Sequence, residues 1–411
     1  MKIISCIGIG NYQTTTYTWS RPGEPVSCTT RLFPEALVEI FQPEKLLVFV
    51  TAKARADQNY RDLQKCLGDR FQGVEIPDGS SEQEIWQIFD QYVQAVDLGD
   101  DVILDVTHGF RSLPMLIFAV ASYLRRVKQV RICHILYGAY EARNDDNISP
   151  IFDLTPMADL MDWLSGAETL TLRSDAELFA RKLKEAHRYP WLRHGDREDS
   201  PRALGIIADK LNAFSRSIHL ARPLDVMRTA GEILPLLERA TTEADAWAKP
   251  FREVLAQVRD ELKPLARSNP EQLDRDNLSC QLEIISHCQR KNLVMQAITM
   301  AREWIVSMVL LKHNTGDWLE RSCRYPAEHA LGAAMQLAQG KEAEVFAWFE
   351  QLSGKAQLCN TWDWLSELRN EVAHCGMNRQ GTAVTKIEQR AQEISQRLQE
   401  LLNDLPAVAS I

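Results

Sequence analysis

The feature that most constrains this chain is a change of apolar rhythm about a third of the way along it. Before Pro150, short runs rich in valine and isoleucine recur at Ile3–Ile9, Lys45–Thr51, Val74–Ile76, Val102–Val106 and Val130–Tyr137. Between them lie helical patterns such as Glu82–Val96 and Pro114–Val127. Near-continuous apolar strands separated by helices predict an α/β, Rossmann-like arrangement, a parallel sheet covered on both faces. After about Pro150 the strand signals stop. The pattern is then helical to the C-terminus, broken by polar stretches such as His194 to Pro201. One long helix is expected from about Cys280 to Leu311 and another from Val384 to Leu401, each with apolar residues at spacings of three and four. A chain of 411 residues exceeds one comfortable core. The expected division is an α/β domain over residues 1–155, a helical connecting region over 156–279 and an all-α domain over 280–411.

Composition removes several classes. The formal net charge of -9 argues against wholesale coating of nucleic acid and confines any polyanion binding to local patches. Nine scattered cysteines, with no C-x-x-C pair and no zinc-like spacing, read as reduced thiols of a cytoplasmic protein. The start is too short and too soon polar for a signal peptide. The apolar stretch Met115 to Leu124 is about half of a membrane span, so no membrane partner is expected.

In a parallel sheet, ligands lie beyond the carboxyl ends of the strands, which draws attention to three loops. The first is Gly8-Ile9-Gly10-Asn11-Tyr12-Gln13-Thr14-Thr15-Thr16-Tyr17, where two glycines let backbone approach a ligand and hydroxyl side chains follow. The third glycine of a dinucleotide fingerprint is missing. The second loop, Thr51-Ala52-Lys53-Ala54-Arg55, brings two cations. The third, Asp105-Val106-Thr107-His108-Gly109-Phe110-Arg111, leads from a strand into a helix, and its amides together with Gly109 and Arg111 form a ready anion site. The candidate ligand-binding residues are Gly8, Gly10, Asn11, Tyr12, Thr14, Thr15, Thr51, Lys53, Thr107, His108, Gly109 and Arg111. They describe a pocket for a phosphorylated ligand and offer neither a metal site nor a nucleophile.

A second concentration of chemistry stands near the C-terminus, in Trp362-Asp363-Trp364-Leu365-Ser366-Glu367-Leu368-Arg369-Asn370-Glu371-Val372-Ala373-His374-Cys375-Gly376. Leu365, Leu368 and Val372 follow one helix face, and Gly376 is placed to cap the helix C-terminus. Arg369 and His374 stand about 140° apart around such a helix. RNA cleavage by the neighbouring 2′-hydroxyl needs one proton removed, one delivered and charge on phosphorus stabilised. Histidine moves protons near neutral pH, and the arginine fork stabilises phosphorane oxygens. Asn370 can hydrogen-bond phosphate or orient a side chain. No metal is required.

These residues together resemble the CRISPR-associated CARF–HEPN ribonucleases of type III systems, in the branch named for a D-x-T-H-G motif. Asp105-Val106-Thr107-His108-Gly109 matches that motif, and Gly8-Ile9-Gly10-Asn11-Tyr12 is similar to the family's first ligand loop. Arg369-Asn370-Glu371-Val372-Ala373-His374 matches the R-N-x-x-x-H signature of HEPN nucleases. Asn292 to Ala297, with Arg302-Glu303, resembles the helix that opens that domain. The resemblance implies an N-terminal domain that binds cyclic oligoadenylate, with the tetra-adenylate favoured. It implies a homodimer, or a higher assembly of dimers, with composite ligand and nuclease sites. It also implies metal-independent cleavage of single-stranded RNA with Arg369, Asn370 and His374 as catalytic residues, no cofactor beyond the activator, and at most weak ring-opening of that activator. Two rivals remain at this point. One is a nicotinamide oxidoreductase, disfavoured by the incomplete glycine fingerprint and by Lys53 and Arg55 where an acidic ribose partner would stand. The other is a non-catalytic nucleotide-sensing scaffold or regulator.

Overall fold

The computed structural model describes residues 1–20, 24–109, 112–194, 202–247, 251–314, 316–377, 379 and 381–405. The chain divides into two compact units, Met1–Leu164 with Tyr189–Ser200, and Ser165–Arg188 with Pro201–Ile411.

The first unit is built on eight strands: β1 (Lys2–Cys6), β2 (Thr15–Trp19), β3 (Val26–Thr30), β4 (Lys45–Val50), β5 (Phe71–Glu75), β6 (Asp101–Asp105), β7 (Arg131–Gly138) and β8 (Ile148–Asp153). Their order across the sheet is β3-β2-β8-β7-β6-β1-β4-β5. The five expected apolar runs form the parallel half, β7-β6-β1-β4-β5. The sheet as a whole is mixed, which corrects the expectation of an all-parallel one. β8 pairs antiparallel with β7, β2 lies parallel to β8, and β3 closes the edge antiparallel to β2.

Alternation along the parallel strands feeds two cores. Ile4, Leu47, Phe49 and Leu104 point to one face, beneath Ile88, Tyr92, Ile117 and Leu124. Ile3, Leu46, Val48 and Ile103 point to the other, beneath Phe33, Leu37 and Leu63. The covering helices are α1 (Phe33–Phe41), α2 (Ala52–Arg55), α3 (Gln58–Leu67), α4 (Glu82–Gln94) and α5 (Leu113–Val127). Their starts are chemically marked. Asp57 accepts from the Asn59 amide at 2.9 Å to open α3. Ser81 accepts from the Glu84 amide at 3.2 Å, while the Glu84 carboxylate reaches back to the Ser80 amide at 2.8 Å.

Helices make up the rest: α6 (Thr155–Arg173), α7 (Glu177–His194), α8 (Arg202–His219), α9 (Pro223–Trp247), α10 (Phe251–Leu262), α11 (Arg275–Arg290), α12 (Val294–His313), α13 (Arg321–Ala338), α14 (Ala347–Glu350), α15 (Lys355–Ala373), α16 (Val384–Gln392) and α17 (Ile394–Asn403). The long helix expected from Cys280 to Leu311 is two helices. Asn292 adopts φ +56°, and the Leu293 amide turns back to the Cys288 carbonyl at 2.8 Å, closing α11 before α12 begins. The helix expected from Val384 to Leu401 is likewise interrupted, at Glu393, between α16 and α17. α12 is long and apolar enough to cross a membrane by length and composition, with a mean hydropathy of 1.4. Most of it is buried as a core helix, and Trp304 donates from Nε1 to the Leu278 carbonyl at 2.8 Å.

One backbone approach fixes the end of β7. A Cβ on Gly138 would lie 2.5 Å from Phe33 Cδ2 at the start of α1. Gly138→Ala should therefore lower stability by about 1–3 kcal/mol through overpacking, read as a reduced urea midpoint for the first unit.

Candidate functional site

The parallel register brings the carboxyl ends of β4, β1 and β6 side by side, Cys6 opposite Phe49 and Ile4 opposite Leu104. The three loops of interest therefore leave the same edge. They enclose a cavity of about 550 Å³ whose lining includes Gly8, Gly10, Tyr12, Thr51, Lys53, Thr107, His108 and Gly109. Eight of the twelve sequence-derived candidates thus meet at one place.

The remaining four do not join them among the described residues. Asn11 and Thr14 are exposed in the first loop and line no part of the cavity. Thr15 belongs to β2 and is fully buried, its hydroxyl shared with the Asn147 carbonyl and Ser149 Oγ at 2.8 Å each. Thr15 therefore serves the sheet. Arg111, with Phe110, lies outside the described residues.

The loops rest on a buried carboxylate. Asp105 ends β6 and is 1% exposed; it accepts from Ser5 Oγ of β1 at 2.5 Å and from the Thr107 amide at 2.8 Å. Thr107 Oγ1 accepts in turn from the Gly138 amide of β7 at 2.8 Å. Burial pushes the Asp105 carboxyl up to about 6, and its bonds to Ser5 and Thr107 pull in the other direction. The first loop is held from a different side. Tyr12 folds back so that its hydroxyl accepts from the Gly8 amide at 3.0 Å. Asn59 Nδ2 donates to the Gly10 carbonyl at 2.8 Å, and Asn59 Oδ1 is itself gripped by Arg31, which also pairs with Asp62.

Where the first and third loops meet, the rings of Tyr12 and His108 pack with centroids 4.3 Å apart. Burial lowers the His108 imidazole to about 4, against the opposing charge of Glu141, so the ring is neutral at pH 7. Its Nε2 atom is buried with no hydrogen-bond partner among the described residues. An unpaired buried polar atom is costly. Thr51 uses its hydroxyl to cap α2, accepting from the Ala54 amide at 3.3 Å. Lys53 stands 3.8 Å from Asp78, a lining residue that sequence reading missed. The Cys6 thiol also lines the cavity, and burial pushes it up to about 12, which removes it as a nucleophile.

At the other end, the helix carrying the R-N-x-x-x-H pattern is α15. It stops at Ala373, one residue before His374, whose amide still donates to the Asn370 carbonyl at 3.0 Å. Cys375 and Gly376 follow at φ +54° and +67°, turning the chain away as the capping glycine predicts. Asn370 and His374 line a surface hollow of about 560 Å³ together with Glu371 and Met377. Arg369 is exposed beside it and reaches Asn370 Oδ1 at 3.3 Å. Within one chain Arg369 and His374 make no contact with each other. Arg302 and Glu303 act structurally. Arg302 lies 4.5 Å over the Trp362 ring and pairs with Glu328 at 3.0 Å, while Glu303 takes Arg324 at 2.7 Å. This network ties α12 to α13 and α15.

The Asp105 carboxyl, raised in the folded state, favours folding when protonated, so its contribution is full at acid pH and is lost as pH rises through about 6. Asp105→Asn should remove that component. Melting temperatures at pH 5 and pH 7.5, compared between wild type and variant, should differ less in the variant.

Comparison with known proteins places these features. Residues 2–141 match the family described as CRISPR system endoribonuclease Csx1, CARF domain, and residues 159–269 match CRISPR-associated protein MJ1674, second domain. A curated relative, CRISPR-associated protein MJ1674 of Methanocaldococcus jannaschii, is 28% identical over 188 residues, 45% of this chain and 27% of that protein. The match thus spans about a quarter of the relative's length. Among solved structures, Enterococcus italicus Csm6 bound to cyclic hexa-2′-fluoro-hexa-dAMP aligns over 98% of this chain and 93% of its own, at 11% identity and a TM-score of 0.40. Residues 2–141 are accordingly a CARF domain, and the chain is a CRISPR-associated CARF-domain protein.

Proposed function

We propose that this protein is a cytoplasmic single-stranded RNA endoribonuclease switched on by cyclic oligoadenylate, with the tetra-adenylate favoured. The observation that carries the sensing half is the cavity at the carboxyl ends of β1, β4 and β6, which the Gly8 and Gly10 backbone lines together with Tyr12 and the neutral His108 imidazole. A neutral imidazole of this kind takes a hydrogen bond from, or gives one to, an adenine edge or a ribose hydroxyl. The Tyr12 ring beside it offers a face to a base, and the Gly8 and Gly10 backbone lets phosphate approach. The match to a CARF domain named for a CRISPR system endoribonuclease supports the same assignment.

In this reading the R-N-x-x-x-H end does the cutting, as a nuclease domain over residues 280–411 joined through 156–279. His374 moves the proton of the attacking 2′-hydroxyl or of the leaving oxygen. Arg369 neutralises the phosphorane, and Asn370 positions one or the other. The open hollow and the separation of Arg369 from His374 in one chain favour a groove completed by a second copy, hence a homodimer. The same separation gives the scaffold reading its one argument, since an unpaired Arg369 and His374 would be inert alone.

His374→Ala should reduce ligand-stimulated RNA cleavage by roughly 10²–10⁴ while cyclic tetra-adenylate binding persists, and Arg369→Ala should follow it. Near-full activity in both, measured on labelled RNA with and without the activator, would reject the site. His108→Phe keeps a ring against Tyr12 and deletes Nε2. It should weaken tetra-adenylate binding by about tenfold in calorimetry with no loss of melting temperature, the value of one buried hydrogen bond. Unchanged affinity would remove His108 from the ligand site.

A further inference from the structure

A groove in the second unit, between α7 and α8, is unused by this reading. α7 presents Arg181, Lys184 and Arg188 at spacings of three and four, and α8 presents Arg216 and His219 three residues apart, so each set occupies one helix face. The two faces line a groove of about 790 Å³. The opposite faces, through Phe179, Leu183, Phe214 and Ile218, are buried.

Three carboxylates share the groove, and two of them are occupied. Asp175 caps α7 by accepting from the Glu177 amide at 3.0 Å, and Glu185 takes Lys182 at 2.8 Å; Glu177 is the third. Lys184 is held by Asp209 at 2.5 Å. Among the described residues no carboxylate pairs with Arg181, Arg188 or Arg216, and all three are exposed. Three unpaired guanidiniums gathered on one groove of a chain with net charge -9 are an anion site rather than an average surface. On α7 the cations recur about once per helical turn, roughly every 5.4 Å, so the groove offers a row of contacts instead of a single one. A row of forks suits a chain of phosphates.

The groove also leads somewhere. Gln296 Nε2 donates to the His219 carbonyl at 3.2 Å, which sets the C-terminal end of α8 at the N-terminal end of α12. α12 and α15 run antiparallel, because Arg302 lies over Trp362 while Lys312 Nζ donates to the Ser353 carbonyl at 2.8 Å. From Trp362 to His374 is about 18 Å of helix, and from Arg302 back to Gln296 about 9 Å in the same direction. The His219 end of the groove and the His374 end of α15 thus lie toward the same end of this helix pair.

We propose that the α7–α8 groove holds the phosphate backbone of single-stranded RNA leading to or from the cut at His374, an inference that rests on the RNA-cutting reading above. The test uses the full chain and a fluorescent single strand of about 20 nucleotides carrying 2′-O-methyl groups, which has no attacking hydroxyl and survives whatever the nuclease site does. Arg181→Ala, Arg188→Ala and Arg216→Ala combined should weaken binding about tenfold or more near 0.1 M salt. The slope of log affinity against log salt should fall by about 2, from three phosphate contacts on a single strand. The corresponding triple lysine variant should regain most of the affinity, and circular dichroism melting of all three proteins should coincide. Unchanged affinity and slope in the alanine variant would overturn the groove. So would a labelled polyglutamate that binds the wild type as tightly as RNA and is lost in the same variant, which would assign the groove to an acidic protein. Because ordinary RNA cleavage is measured separately, an inactive His374 site with a working groove sinks only the cutting reading. A working nuclease with an indifferent groove sinks only this one.

Discussion

The cavity of the first unit depends on one buried carboxylate. Asp105 has been taken from water at the end of a central strand, and its two bonds tie β1 to the loop after β6. Through Thr107 the same loop is tied to β7 at Gly138, where no side chain fits. The cost of that burial is visible in the upward displacement of the carboxyl to about 6. An apolar residue there would fold more cheaply but would leave the Thr107 amide without an acceptor and the His108–Gly109 turn without a floor. The D-x-T-H-G pattern is therefore a unit of construction, with Asp and Thr building the turn and His and Gly facing the cavity.

This division explains what could be read from the sequence and what could not. The central strands β1, β4 and β6 were legible because both faces are buried and the runs are nearly unbroken in apolar residues, whereas the edge strand β5, with no fully buried residue, showed only its Val74–Ile76 end. β2 and β3 were not. One face of β2 buries Tyr17 and Trp19, but its other face is threonine, paired across the strands through Thr16 with Thr29 at 2.9 Å and Thr18 with Ser27 at 2.8 Å. A strand of alternating threonines looks like a polar loop in one dimension, so Thr15, which begins β2 on its buried face, reads as part of the ligand loop. β8 was hidden by Pro150, which reads as a strand terminator yet sits inside the strand with its carbonyl accepting from the Ala139 amide at 3.0 Å. Asn59 and Asp78 carried no local signal at all, since their roles come from residues about 50 and 25 positions away.

The cavity and the α15 terminus differ in how complete they are within one chain. The cavity has a floor, packed walls and an unpaired imidazole, so a single copy presents most of a binding surface. The α15 terminus has exposed side chains around an open hollow, with Met377 89% exposed among them. Proton transfer and charge stabilisation both need groups held in place, and exposed arginine and histidine side chains lose rotamer freedom only when something packs against them. On the proposed reading, that asymmetry is what a switch requires: the ligand would meet a built site, while Arg369 and His374 would stay slack until another surface fixed them.

Charge placement points the same way. Among the described residues of the cavity, Lys53 is offset by Asp78, and the Asp105 carboxyl lies below. Backbone approach at the glycines, the Tyr12 face and His108 Nε2 remain, and these discriminate shape and hydrogen bonding more than charge. In the α7–α8 groove the order is reversed: among the described residues, guanidiniums without a carboxylate partner dominate and no aromatic wall encloses them. A chain that is acidic overall would repel long polyanions from most of its surface. On the proposed reading, this leaves a compact nucleotide to the cavity, where geometry would select it, and a long strand to the α7–α8 groove, where its charge would be answered.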